Sequence, residues 1–369
     1  MRQLASIQKV LKIEPIEGAD SIEKLTVLGW ELVAKKGDFK EGDLCVYIEI
    51  DSIVPETAWS EFLRPRKFKV RTIKLRGQIS QGLALPIDIL PNSDRPMKWG
   101  YQEGKDVTKM LGIKKYDPQG DKERLILEQK HFLFNKKIDN YLKRYSWFRK
   151  LVLRPSRDKF PSFIKKTDED RIQLFPNICE KHQATEFVCT EKLDGSSCTY
   201  FVTKNTNKLQ FWKPYIFGVC SRNLRLYNKD NNWYQVAIKL DIEKKLITHA
   251  KAFGFKTVVI QGELIGEGIQ GNKYQLKGHD FYLFNLIEDG HIKGISMQSD
   301  FSARYDVKLC PVLNDNYYLA PTIHDEVLRA SGKSLIGSKP TREGVVIRNY
   351  FNNISFKVIN PDFLLKYEE

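Results

Sequence analysis

The feature that most constrains this chain is a series of short apolar runs in its last two hundred residues, most of which carry one charged side chain. EFVCT (186–190) leads directly to Lys192, TVVIQGELIG (257–266) contains Glu263, REGVVIR (342–348) places Glu343 at its start, and SFKVIN (355–360) contains Lys357. A further run, FYLFNLI (281–287), is apolar and aromatic. Length and β-branched content make each of these a strand. A single such strand is ordinarily core. Four that bear Lys, Glu, Glu and Lys require more, because a charge on a buried strand is costly unless it meets a partner. Strands also hold side chains rigidly, as a chemical site needs.

The first hundred residues read as a separate β module. IQKVLKI, KLTVLGWELV, LCVYIEI, FKVRTIKL and GLALPI are strand-like runs, punctuated by turns at 17–19, 36–38, 41–43 and 76–78. Five short strands in this space fit a small closed barrel, of which the OB-fold is the common nucleic-acid-binding form. Arg64, Arg66, Lys67, Lys69, Arg71, Lys74 and Arg76 would line one basic edge. A barrel that only packs on the rest of the chain would look the same.

The chain has 369 residues, which suits two or three domains, with 60 Lys plus Arg against 46 Asp plus Glu and a net charge of +14. Such an excess points to a polyanionic partner. It is concentrated between Lys130 and Lys166, where 12 basic residues face only Asp139 and Asp158. Phe134, Ile138, Tyr141, Leu142, Tyr145 and Phe148 fall at helical spacing there, with Lys136, Lys137, Lys143, Arg144 and Lys150 mostly off that stripe. A solvated basic helix and a phosphate-tracking surface both fit this pattern. Pro155 and Pro161 mark the following stretch as a linker. The expected division is therefore a module at 1–105, a basic helical connector at 106–160 and a third unit at 161–369.

The six cysteines, Cys45, Cys179, Cys189, Cys198, Cys220 and Cys310, form no C-x-x-C pair and no disulfide framework, and read as reduced thiols. MRQLASIQKVLKI lacks a signal-peptide core, and no apolar run is long enough for a membrane helix. The expectation is an intracellular protein of cytoplasm or nucleus, with no membrane partner.

EKLDG (191–195) is a K-x-D-G element. Alone it is weak, since four residues recur by chance and often mark only a turn. Its downstream neighbours change its meaning: in chain order, SRN at 221–223 and then the runs bearing Glu263, Phe281 and Phe284, Glu343 and Lys357. This ordered set resembles the motifs of the covalent nucleotidyltransferase superfamily of RNA ligases, DNA ligases and mRNA capping enzymes, over about residues 161–369. KTDEDRIQ (166–173) is similar to the approach segment of RNA ligases in particular. The resemblance implies an α+β chain: an OB-like β-barrel followed by a nucleotidyltransferase (ATP-grasp-like ligase) domain of antiparallel sheets with flanking helices.

The same resemblance implies the chemistry. Lys192 would attack the α-phosphorus of ATP and carry AMP as a phosphoramidate, which requires its ammonium to lose a proton. Lys357 would offset the charge gathered on the phosphoryl oxygens. Asp194, Glu263 and Glu343 would hold hydrated Mg²⁺ or Mn²⁺ through water, Asp194 and Glu263 having ribose contact as their alternative. Phe284, or else Phe281, would stack on adenine beside Glu191, and Gly195 would help to bind the nucleotide. Arg222 would meet phosphate or a terminal ribose, or simply end a turn after strand 217–220, and Arg171 would touch the nucleotide. Relatives commonly have Lys-x-Lys where this chain has Lys357 and Ile359, so one lysine suffices or Lys273 or Lys277 supplies the second charge. His279 beside Asp280 has no nucleophile near it and reads as structural or substrate-side.

Domain order selects within the superfamily. Capping enzymes and DNA ligases place an OB domain after the last motif, whereas here only Asn360 to Glu369 remain beyond it and the OB-like module comes first. That order resembles the fifth RNA ligase family, which joins RNA 3′-OH to 5′-phosphate ends, typically at nicks in a duplex, and a monomer fits. A capping-type guanylyltransferase, a DNA ligase and a non-enzymatic RNA-binding protein are the alternatives, separable by GTP against ATP, by DNA against RNA ends and by adduct formation.

Overall fold

A computed structural model describes residues 3–91, 101–116, 157–207 and 212–367. The basic helical pattern at 134–148, and the proposed connector from 117 to 156, lie outside the described residues. Among the described residues no helix is long and apolar enough to cross a membrane.

The first module is a nearly closed antiparallel barrel. Its five-stranded sheet runs in the order Trp30–Lys35, Ile22–Val27, Ala5–Pro15, Leu44–Ile48, Leu83–Leu85. The long strand Ala5–Pro15 pairs on both sides and is bent by a bulge between Val10 and Lys12, which lets one strand serve both walls of a small barrel. A hairpin of Thr72–Leu75 and Gln78–Gln81 closes the far side, where the Val33 N–H donates to Ser80 Oγ at 3.0 Å. Ile7, Leu25, Trp30, Leu32, Val46 and Ile48 fill the interior.

Two expectations change here. The run KLTVLGWELV is not one strand but a hairpin, with Val27 opposite Trp30 across a turn at Leu28 and Gly29. Gly29 sits so close to the second unit that a Cβ would lie 2.9 Å from Gln173 Cα, which explains a glycine at that point. The module's packing also continues past residue 105. Val107, Leu111 and Ile113 are buried in its core, and Lys114–Lys115 pairs with Ser52–Ile53, which in turn pairs with Lys69–Val70. The helix Pro361–Tyr367 at the other end of the chain buries Phe363 and Leu364 in the same core, with Ile359. The two units therefore share one apolar cluster.

The second unit holds a seven-stranded and a four-stranded antiparallel sheet. Ser196–Lys204, Thr257–Gly266 and His279–Glu288 are consecutive neighbours in the larger sheet, Ser196–Lys204 being its central strand. Helices Asn232–Lys239, Ile242–Phe253 and Ile295–Tyr305 cover one face, burying Val236, Leu246, Ala250 and Phe301 against Tyr200, Ile260 and Leu286. In the smaller sheet, Phe187–Lys192 lies between Val312–Tyr317 and Gly344–Asn349, with Ile354–Ile359 beyond. All six cysteines are free and buried.

Candidate active site

Lys192 is the last residue of its strand and pairs in register with Gly344, so Glu343 comes to its side. Its Nζ donates to Glu343 Oε1 at 2.6 Å. Gly344 is required by packing, since a Cβ would lie 2.2 Å from the Val358 carbonyl oxygen. On the larger sheet Glu263 pairs in register with Ser197. Between the sheets runs the turn 193–195. Gly195 lies against the strand of Glu263, and a Cβ there would meet Leu264 O at 2.5 Å and Glu263 Cγ at 2.8 Å. Any other residue would push Asp194 away from Glu263.

These groups surround a cavity of about 430 Å³. Its wall includes Lys192, Glu191, Arg171, Asp194, Gly195, Arg222, Glu263, Phe284, Glu343 and Lys357, while the alternatives Phe281, Lys273 and Lys277 are not part of it. Burial pushes the Glu263 carboxyl up to about 8; Lys192 opposes this, while Glu343 and Asp194 add to it. Burial likewise raises Glu343, against the pull of Lys192, and its Oε2 is buried without a hydrogen-bond partner. Burial alone would lower the Lys192 ammonium, but Glu343, Glu263 and Asp194 together hold it above its ordinary value. The proton that Lys192 must lose to attack is thus held more tightly in the protein alone: its neighbours are carboxylates, and they keep it charged.

Phe284 reaches the cavity through a register shift. Gln261 pairs with Asn285 but Gly262 pairs with Leu283, which leaves Phe284 as the extra residue of a bulge. Arg348 backs it, donating to the Phe284 carbonyl at 2.8 Å and to Glu169 at 3.0 Å, with its guanidinium 5.7 Å from the ring centre. Phe281 instead is fully buried in the core against Tyr200, away from the cavity wall. Glu191 accepts from the Leu335 N–H at 2.9 Å; burial raises its carboxyl, and its second oxygen has no hydrogen-bond partner.

Arg222 pairs with Asp168 at 2.6 Å. Arg171 is buried and reaches into the first module, donating to Asp51 at 3.1 Å, while its Nε and Nη1 find no hydrogen-bond partner. The Lys357 N–H donates to Asp170 O at 2.8 Å, which fixes the 166–173 segment along that strand. Ile359 is a buried wall of the cavity, Lys273 sits on the Asp194 carboxylate, and Lys277 is exposed. His279 bonds the Glu267 carbonyl at 2.7 Å and Asp280 pairs with Lys308.

Sequence reasoning missed the first module's share of the cavity. Asp51, Lys115 and Tyr116 line it, and the Lys69 ammonium lies 3.5 Å from the Tyr116 ring centre. The basic run through Lys69 was visible, but nothing local signalled that its neighbours face the other unit. Arg348, Glu169 and Cys310 were also missed; the Arg348 charge at the end of an apolar strand was the available clue.

Residues 4–87 match an OB-fold domain and residues 185–367 match the RNA ligase family. Among solved structures, the Naegleria gruberi RNA ligase with PPi is 33% identical, with a TM-score of 0.77, over 100% of this chain and 99% of that chain. A variant of that ligase with ATP and Mn is 31% identical over 99% of each chain, and another with AMP and Mn is 31% identical over 100% of this chain and 99% of that one, both with TM-scores of 0.77. No curated protein sequence matches. The fold is thus that of a ligase, an OB-fold barrel joined to a sheet-rich catalytic unit. The chain belongs to the RNA ligase family.

Proposed function

We propose that this RNA ligase uses ATP to join RNA 3′-OH and 5′-phosphate ends, at nicks in duplexes, through an AMP carried on Lys192. The observation that carries the reading is the pairing of Lys192 with Glu343 in a cavity that also holds Phe284, Glu191 and Lys357. The similar Naegleria gruberi ligase has been solved with PPi and, as variants, with ATP and Mn and with AMP and Mn; ATP is the substrate of such a step, AMP the group transferred and PPi the leaving group.

In the first step Lys192 Nζ bonds to the α-phosphorus, the α–β bridging P–O bond breaks, and pyrophosphate leaves with that electron pair. One ammonium proton passes to Glu343, its hydrogen-bond partner, to free the attacking lone pair, and a second leaves the nitrogen with the departing pyrophosphate, which gives the phosphoramidate N–H. Phe284 stacks on adenine, Glu191 flanks the base, and Lys357 with Arg222 balances the phosphoryl oxygens. Arg171 has two buried unpartnered nitrogens with which to meet the nucleotide. The AMP then moves to the RNA 5′-phosphate, and the 3′-OH displaces it. All three steps are in-line displacements at phosphorus, so one cluster serves them all.

A divalent cation fits the carboxylates. Burial and the other two carboxyls push Glu263 up to about 8, and Glu343 Oε2 has no hydrogen-bond partner, so these three acids can accept more positive charge than Lys192 and Lys273 bring. Among the described residues no three acidic, His or Cys side chains lie close enough to hold a metal directly. Asp194, Glu263 and Glu343 would therefore hold Mg²⁺ or Mn²⁺ through its water shell. When bound, the ion supplies charge that competes with Lys192 for these carboxylates and polarises the phosphoryl oxygens.

The test is sealing of a nicked duplex with ATP, comparing an RNA with a DNA 3′-OH. Joined product and an adenylated 5′ end are expected with RNA, and neither with Lys192→Ala. Sealing retained by that variant would overturn the mechanism.

A further inference from the structure

Asp194 is held at two points by two neighbouring residues. Its main-chain N–H donates to Tyr274 Oη at 2.7 Å, and its carboxylate accepts from Lys273 Nζ. The same ammonium donates to Gln270 O at 3.1 Å, which ties it back to its own turn. Both charged side chains of the pair are largely buried, at 17% and 16% exposure, so the pair is not a loose surface contact. Lys273 is also capped by aromatic rings, lying 5.3 Å from the ring centre of Phe363 and 5.2 Å from that of Tyr367, both on the helix Pro361–Tyr367. Phe363 is buried in the first module's core, and Tyr367 packs against it.

We infer that Lys273 is a positioning residue, which sets the Asp194 carboxylate next to Lys192 and makes that setting depend on the seat of the C-terminal helix against the OB module. This rests on Lys192 as the AMP acceptor. Without the ammonium, Asp194 would swing toward solvent or toward Glu263, and the turn after Lys192 would loosen.

The experiment compares Lys273→Met and Lys273→Arg by single-turnover AMP transfer and by hydrogen exchange at residues 192–195. Lys273→Met is expected to slow AMP transfer roughly 10- to 100-fold with little change in the ATP KM, and to raise the metal concentration needed for half-maximal rate. The Asp194 amide should exchange faster in the same variant without nucleotide or metal. Lys273→Arg should recover most of the rate. In an Asp194→Asn background, Lys273→Met should cost little more, because the two act as one unit. Multiplying losses in the double variant, or unchanged exchange together with an unchanged rate, would overturn the inference. If the wild-type protein forms no AMP adduct, the proposed function fails, and the exchange measurement still decides whether Lys273 fixes the turn.

Discussion

The second unit contains two clusters of buried charge, and they differ in what surrounds them. On the helix-covered side, Glu288 closes the strand His279–Glu288 and is met by His249 at 2.6 Å and Lys293 at 3.2 Å. His249 is walled by Phe253, Phe255, Phe301 and Tyr305. There one acid meets two basic partners inside packed rings. On the cavity side, three carboxyls, Asp194, Glu263 and Glu343, meet Lys192 and Lys273, and Glu263 is driven to about 8. A buried charge alone therefore does not mark a chemical site. An excess of like charge facing open volume does, because the fold tolerates it only where a ligand can discharge it.

Substitutions separate the two clusters. The largest effect is expected from Glu343→Gln, which removes the proton acceptor beside Lys192: AMP transfer should fall roughly 10²- to 10⁴-fold in single-turnover assays while the unfolding midpoint hardly moves. An unaltered rate would remove Glu343 from the chemistry. Glu288→Leu should do the reverse. It leaves His249 buried and Lys293 half-buried without their acid and should cost about 3 kcal/mol in urea unfolding, with the AMP-transfer rate per folded molecule unchanged.

Glu263→Gln gives a smaller, pH-dependent effect. Its folded value lies above the ordinary carboxylate value, so the folded state binds the proton more tightly than the unfolded one. That contribution is complete in acid and is lost as pH rises from the usual carboxylate range to about 8. The variant should therefore melt a few degrees above wild type in alkaline buffer, with the gain shrinking as pH falls. A gain that grew in acid would contradict the assignment. The smallest effect is expected from Asp51→Asn, which weakens the tie to Arg171 and should cost about 1 kcal/mol in thermal unfolding while lowering sealing. Unchanged sealing would show that this tie between the units is idle.

Much of the cavity was legible because strand chemistry is local. Lys192, Glu263, Glu343 and Lys357 each stand on or beside an apolar run whose period fixes which way the side chain faces, and the structure gathers them on one wall. Phe284 needed more than period: a bulge separates it from Phe281, and only the resemblance favoured it. The hairpin at Leu28 and Gly29 was hidden inside a continuous apolar run, since no Asn or Asp announced the turn. What was not legible lies far apart in sequence. Arg171 reaches Asp51 across 120 residues, and Tyr274 reaches Asp194 across 80. The shared core of Ile359, Phe363 and Leu364 with the barrel is of the same kind, set by how the two units meet.

The central claim is that Lys192 carries AMP, and intact mass with peptide mapping tests it most directly. After incubation with ATP and Mg²⁺ or Mn²⁺, the account predicts a single AMP on Lys192, absent in Lys192→Ala. A folded protein that takes up no AMP, takes GMP from GTP instead, or carries the adduct on another lysine would contradict it.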